Sequence, residues 1–331
     1  MAREIVFTGK GQAELLDFQP PPLGDAEVRG KTRATLISPG TELAWLNDGT
    51  YPLRPGYASV FEAEELGQSV RGVAKGDLLL CMGAHRSIQQ VDEKFTLRVP
   101  KRLSPEQAVV ARLMGVSMTT LMTTTARPGD KVLVCGAGPI GYLAAHQFAI
   151  AGYDVTVIEP DAARQTIIRD SGIAEVMASV PVGVPDYDEK VALVVDCSGH
   201  EQAVLDGCKV VRKRGEVVLI GVPWKAHTKI PAHEILHAIF FKFAVVRSGW
   251  EWDIPVQGRD FVWEELYEGY NNAPHSTMSG LKLALSWLAA GKIPLIGLVA
   301  ARKLSQPQNT YDDLMAKKIK EPFVIFDWST G

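Results

Sequence analysis

KVLVCGAGPIGYLAAHQFAIAGYDVTVIE, residues 131–159, decides the fold of this chain. It enters on the apolar run Val132 to Val134 and passes three glycines at 136, 138 and 141. An Ala-rich stretch follows, then a second β-branched run that ends at Glu159. The pattern predicts a strand, a tight turn, a helix and a second strand. A bare GxGxxG is a weak signal, but the strand before it, the helix after it and the closing acidic residue mark a dinucleotide-binding turn. Gly136 permits the turn, Gly138 lets a pyrophosphate approach bare backbone, and Gly141 lets the helix pack closely on the strand. Pro139 and Ile140 open the helix, whose N-terminal N–H groups face the phosphates. Glu159 accepts hydrogen bonds from the ribose hydroxyls and repels a 2′-phosphate, which favours NAD over NADP. The plain alternative is a glycine-rich turn without a ligand.

A chain of 331 residues is long for a single core, so two domains are expected. With 46% hydrophobic and 22% charged residues it has the composition of an ordinary soluble globular protein. A net charge of −3 offers no electrostatic case for nucleic acid or a membrane surface. No apolar run approaches a membrane span, and the start MAREIVFTGKGQAELLDF lacks the apolar block of a secretion signal, so the cytoplasm is the expected location. The four cysteines, Cys81, Cys135, Cys197 and Cys208, form no CxxC, and Cys135 and Cys197 read as small buried thiols in strands.

The stretch before about residue 115 is rich in Pro, Gly and short alternating runs (Glu27 to Thr35, Ser59 to Glu64, Asp77 to Cys81), which predicts an irregular β domain. From Lys131 strands and helices alternate through DVTVIE, ALVVDCSG and GEVVLIG, the pattern of a doubly wound parallel sheet in an α/β fold. Gly199, with Ser198 before it, and Gly221 follow strand ends, where open parallel sheets place ligands. They line the nicotinamide side of a cofactor or serve as a cap and a plain turn. After Asp253 the chain turns aromatic and irregular: Trp250, Trp252, Trp263, Tyr267 and Tyr270 wall a pocket or, the slightly favoured reading, pack a domain joint. A helix over Leu281 to Ala290 and the strand EPFVIFDW close the chain.

A β domain, a GAGPIG nucleotide fold and a return segment together resemble the medium-chain dehydrogenase/reductase superfamily across the whole chain. Pro128-Gly129-Asp130, Val195 to Gly199 and Glu216 to Gly221 resemble its patterns, and GAGPIG is closer to its alcohol and polyol dehydrogenases than to its quinone and enoyl reductases. The resemblance implies a GroES-like β-rich catalytic domain with an inserted Rossmann doubly wound parallel sheet. Its segments are 1–118, 119–252 for the NAD-binding domain, and 253–331 as the return. ISPGTELAW, YPLRPGYASV and VIFDW are similar to the branch of hydroxyethyl-bacteriochlorophyllide dehydrogenases and glycoside or sugar dehydrogenases. The family's habit of pairing the last strand of the nucleotide sheet implies a homodimer, with Ile239 to Val246 as the edge.

Zinc members of that family carry three ligand motifs. Here the first reads Ser38-Pro39-Gly40-Thr41-Glu42, the second Pro55-Gly56-Tyr57-Ala58, and the third falls near Leu113-Met114-Gly115-Val116. A catalytic zinc needs three protein donors. Pro39, Tyr57 and Gly115 supply none that is usual, so no metal is expected, unless residues such as Glu42 and His85 rebuild a site. Without a metal, a side chain must handle the alcohol proton. Tyr57 stands where a ligand would face substrate and can donate to a developing oxyanion, or it fills space with its hydroxyl satisfied locally. His85, after a strand, suits a general base, or is a surface or capping histidine. Thr41 resembles the family's relay hydroxyl, and Glu42 an acid with a structural role. His233 and His237 have helical spacing but no metal motif, and read as a solvated helix face.

Three functions compete. The first is a zinc-independent NAD-linked dehydrogenase acting on a secondary alcohol of a sugar, polyol, glycoside or larger cyclic substrate. The second is an NADPH-linked quinone or enoyl reductase, against which Glu159 argues, although Arg164 is near. The third is a non-catalytic dinucleotide-binding protein, since fold does not establish activity.

Overall fold

The computed structural model describes residues 1–258 and 275–329. Trp263, Tyr267 and Tyr270 lie outside the described residues. The chain divides into two compact units, Met1–Leu113 with Leu281–Gly331, and Met114–Gly280. The return to the first unit thus comes at 281 rather than at the expected 253. Within the second unit the backbone carbonyl of Glu251 accepts from Thr119 Oγ1 at 3.0 Å, and the backbone N–H groups of Thr277 and Met278 donate to the carbonyls of Pro255 and Val256. Both boundaries fall within helices, Ala111–Thr123 and Thr277–Ala289, so no change of local pattern marks them in the sequence.

The second unit carries a six-stranded parallel sheet in the order Val176–Met177, Asp154–Ile158, Lys131–Cys135, Val191–Asp196, Val211–Leu219, Val245–Ser248. Every residue of Val191–Asp196 is buried, as are Val132 to Cys135, because a central parallel strand is covered on both faces and needs a continuous apolar run. The helix Pro139–Ile150 starts on a proline, which cannot use an N–H there anyway, and buries Gly141 through Phe148. A helix apolar all round belongs in the interior. Ile239 to Val246 is not one edge strand, as the sequence suggested. The helix Ala232–Lys242 takes its first part and stops at Phe243, which has φ +52°, and only then does the edge strand Val245–Ser248 pair with Val211–Leu219. His233 and His237 lie exposed on that helix, their ring centroids 6.1 Å apart.

In the first unit the strand order is Val299–Lys303, Phe323–Asp327, Glu27–Leu36, Ser59–Leu66, Leu78–Cys81, Leu97–Arg98, with Ile88–Asp92 paired to Glu27–Leu36. The returning chain is structurally required: Ile325 pairs with Leu36, and Val324, Phe326 and Trp328 share a core with Ile5, Phe7, Ile37 and Leu46. Each such side chain contributes about 1.5–3 kcal/mol by burial. The segment ISPGTELAW forms a helix, Pro39–Asp48, that begins on its proline. No helix of the described residues is long and apolar enough to cross a membrane.

Candidate active site

In the second unit the glycine turn has the form its sequence implies. Gly136 sits at φ +91°, a conformation that glycine reaches without a Cβ penalty, and its N–H donates to Ile158 at 2.7 Å. A Cβ on Gly141 would stand 1.7 Å from the Gly136 carbonyl oxygen, so close packing of helix on turn demands glycine there. A Cβ on Gly138 would meet nothing within 4 Å, so Gly138 presents open backbone. The helix begins at this point without a side-chain cap, and the first-turn N–H groups of Ile140 and Gly141 have no acceptor within their own helix.

Glu159, 3% exposed, lies beneath the turn: Oε2 accepts from Ala137 N–H at 2.7 Å and Oε1 from Asp161 N–H at 2.9 Å. The carboxylate therefore fixes the glycine loop itself, with lone pairs remaining for another donor. Arg164, a half-exposed side chain, reaches within 3.9 Å of Oε2. Gly136, Ser198, Gly199 and Gly221 are brought together at the carboxyl ends of neighbouring strands. A Cβ on Gly136 would touch Ser198 at 3.2 Å, and one on Gly221 would lie 2.3 Å from the Gly199 nitrogen. Asp196 organises these turns. Its carboxylate accepts from the backbone N–H groups of Ser198 and Gly199, and its carbonyl from those of Ile220 and Gly221. Burial raises the Asp196 carboxyl above the usual carboxylate range, against the opposing effect of the Ser198 hydrogen bonds.

In the first unit, Tyr57 is half-buried. The side chains of Ser38 and Thr41 interact with its hydroxyl, Trp45 meets its ring edge-on at 6.2 Å, and the Arg112 guanidinium lies over the ring at 5.0 Å from its centroid. Burial raises its phenol above the ordinary tyrosine range. Ser38, Thr41 and Arg112 oppose that shift, and the charge of Glu42 adds to it. At neutral pH Tyr57 is a proton and hydrogen-bond donor. Thr41, which the resemblance likens to a relay hydroxyl, lies beside Tyr57.

His85 is elsewhere. It has no exposed surface, and both ring nitrogens are engaged, Nδ1 with Thr35 Oγ1 at 2.8 Å and Nε2 with Glu42 Oε2 at 2.9 Å. Tyr311 donates to the same Glu42 oxygen at 2.7 Å, Ser38 N–H to the other at 2.8 Å, and Trp328 Nε1–H to Thr35 at 2.9 Å. A single run of donors, Trp328 to Thr35 to His85 to Glu42, satisfies this group with the Nε2-protonated imidazole. Burial and Glu42 push the Tyr311 phenol far up, so it too stays a donor. The expectation of a general base at His85 is therefore corrected: a proton on substrate cannot reach a closed, saturated ring. Its network holds Glu42, and Glu42 holds the Ser38 turn on which Tyr57 rests.

Sequence reasoning missed Arg112, Tyr311 and Trp328. The first had a signal, a lone arginine within the apolar run AVVARLMGV, whose neighbours Val109 through Met114 are all buried. Trp250 and Trp252 are exposed, 60% and 38%. At the places of the family's zinc ligands, Pro39 and Gly115 lie in helices and offer no donor. Among the described residues no group of three His, Cys, Asp or Glu could hold a metal ion.

This architecture, a doubly wound parallel domain inserted into a β-rich GroES-like domain, has relatives. Residues 106–248 match the family described as glucose dehydrogenase C-terminus. A putative D-xylulose reductase of Agrobacterium fabrum is 30% identical over 142 residues, 39% of this chain and 39% of that protein. One of Rhizobium meliloti is 30% identical over 276 residues, 67% of this chain and 78% of that protein. The chain belongs to the medium-chain dehydrogenase/reductase superfamily. Galactitol-1-phosphate dehydrogenase from Escherichia coli shares the fold at TM-score 0.79 and 16% identity, covering 98% of this chain and 99% of that one. A putative zinc-binding dehydrogenase of Sinorhizobium meliloti bound to NADP shares it at TM-score 0.77 and 18% identity, covering 99% of both chains. Acetophenone reductase of Geotrichum candidum in complex with NAD does so at TM-score 0.77 and 14% identity, covering 98% of this chain and 97% of that one.

Proposed function

We propose that this protein is a zinc-independent, NAD(H)-linked oxidoreductase that interconverts a secondary alcohol and a ketone on a sugar, polyol, glycoside or larger cyclic substrate. The observation that carries the reading is that one chain holds both an open glycine turn over Glu159 and a half-buried phenol, Tyr57, at the place where the family resemblance implies a metal ligand. The relatives' names, which include reductases and dehydrogenases of sugars and alcohols, support the substrate class.

Gly138 and the first-turn N–H groups of Pro139–Ile150 would receive the pyrophosphate. Glu159 would receive the adenosine ribose, and Ser198, Gly199 and Gly221 the nicotinamide side. The nicotinamide, when bound, exchanges the hydride. The chain's own part is the proton: Tyr57 Oη gives it to the oxygen of a ketone that is being reduced, and its phenolate takes it back in alcohol oxidation. Ser38 and Thr41 hold that oxygen in place. Because burial keeps the phenol protonated through neutral pH, reduction should be level there and fall above the phenol's raised pKa, whereas oxidation should climb toward it.

Titration of tryptophan fluorescence with NADH and NADPH tests the cofactor. NADH should bind at least tenfold tighter, about 1.4 kcal/mol. Arg164 beside Glu159 favours a second reading, NADP, which equal or tighter NADPH binding would establish. A screen of ketoses, polyols and cyclic ketones should find turnover that survives a chelator, and tightly held stoichiometric zinc would overturn the metal-free mechanism. We also propose a homodimer through Val245–Ser248, the last strand of its sheet among the described residues, flanked by the exposed Phe240, Phe241 and Phe243.

A further inference from the structure

Arg112 is 2% exposed, in a run where Val109, Val110, Ala111, Leu113 and Met114 are at most 1% exposed. A guanidinium cannot shed its charge to escape such a place, so the site must repay its desolvation with specific interactions. One of these is visible: the guanidinium carbon stands over the face of Tyr57 at 5.0 Å from the ring centroid. A cation over an aromatic face attracts a neutral phenol through the ring quadrupole, and a phenolate far more strongly, because the negative charge is shared into the ring.

From this geometry we propose that Arg112 is a positioning residue for the reaction, whose fixed charge over the ring makes Tyr57 a stronger acid. This rests on the reading of Tyr57 as the proton donor. Among the described residues, a small set of groups bears on Tyr57. The helix Pro39–Asp48 brings Thr41, Trp45 and the carboxylate of Glu42, the residue before that helix is Ser38, and the helix Ala111–Thr123 brings Arg112. Of these only Glu42 and Arg112 carry charge, and they act in opposite directions: the carboxylate makes the proton harder to release and the guanidinium makes it easier. Without the arginine the Ser38 and Thr41 hydrogen bonds would still oppose burial and Glu42, but the positive charge that favours the phenolate would be gone, and Tyr57 would become a weaker acid toward the substrate oxygen. With it, the phenol is held closer to its ordinary range. Arginine suits the role better than lysine because its charge is permanent and a planar guanidinium can stack on an aromatic face.

The test reads the ionisation of Tyr57 without any substrate. The protein is labelled with 3-fluorotyrosine, and the Tyr57 fluorine resonance is assigned by its loss in Tyr57→Phe. The midpoint of its pH titration is then compared in wild type, Arg112→Met and Arg112→Lys. The expected result is a rise of about one pH unit, a tenfold weaker acid, in Arg112→Met, with at least half of the rise recovered in Arg112→Lys. An unmoved midpoint in Arg112→Met overturns the proposal, whether or not Tyr57 is catalytic. So does an equal rise in both variants, which would point to packing rather than charge. If Arg112→Met does not fold, Arg112→Gln takes its place in the same comparison. Once a substrate is known, the alkaline limb of ketone reduction should move with the midpoint. A midpoint that moves while the rate profile stays fixed supports the electrostatic role of Arg112 and removes Tyr57 from catalysis instead.

Discussion

Gly138→Ala separates cofactor binding from folding. At Gly138 the backbone has φ −67° and ψ −175°, which alanine adopts without strain, and the added Cβ would meet no atom within 4 Å. Folding should therefore be unharmed or slightly improved, by about 0.4–1 kcal/mol, because alanine leaves the unfolded chain fewer conformations. The same methyl would occupy the open backbone where a pyrophosphate has to approach. Losing that contact should weaken NADH at least tenfold, about 1.4 kcal/mol. Gly141→Ala is the control with the opposite logic. Its Cβ would stand 1.7 Å from the Gly136 carbonyl oxygen, so the turn itself must open, and stability and binding should fall together. Thermal melts with and without NADH, alongside fluorescence titration, give both quantities. If Gly138→Ala bound NADH as wild type does, the argument that the dinucleotide lies against this turn would be refuted.

Three further outcomes are expected. Tyr311→Phe removes one donor from the buried Glu42, a charge-assisted bond of about 2 kcal/mol, and should lower the melting temperature by about 4–8 °C, read by calorimetry; an unchanged melt would show that the network adds nothing. His146, whose pKa burial pushes down to about 4, refuses a proton that the unfolded chain accepts near 6.5. Stability should hold above that pH and decline by up to about 3 kcal/mol as pH falls toward 4, with a shallower decline in His146→Gln, both measured by urea unfolding at several pH values. Sedimentation velocity should give a dimer that Phe240→Asp with Val245→Asp converts to monomer, while a wild-type mass of 36.1 kDa in solution would remove the edge-pairing proposal.

Much of the fold was legible because local pattern and global position agree. Val132 to Val134 and Val191 to Val195 are continuous apolar runs, and only a strand covered on both faces rewards that. The glycine turn was legible for the same reason: Gly136 needs a positive φ, and Gly141 needs the absence of a Cβ. The edge at Ile239 to Val246 was misjudged because a short apolar run carries no period that separates helix from strand, and the break at Phe243 depends on a left-handed residue that sequence does not announce. The role of His85 was misjudged for a different reason. What closes its ring are Thr35, Glu42 and, through Thr35, Trp328, and the tertiary pairing of Phe323–Asp327 with Glu27–Leu36 brings Trp328 to Thr35. Tyr57 could be singled out in the sequence, but the charge over its ring could not, because Arg112 lies on a different element.

The most direct test of the account is the turnover of Tyr57→Phe on the first ketone found to oxidise NADH, measured beside its NADH affinity and melting temperature. The loss of one hydroxyl that gives the substrate its proton should cut turnover about 10²- to 10⁴-fold and leave NADH affinity and melting temperature close to wild type. Near-normal turnover in Tyr57→Phe would contradict the account and pass the proton to Thr41 or to another group.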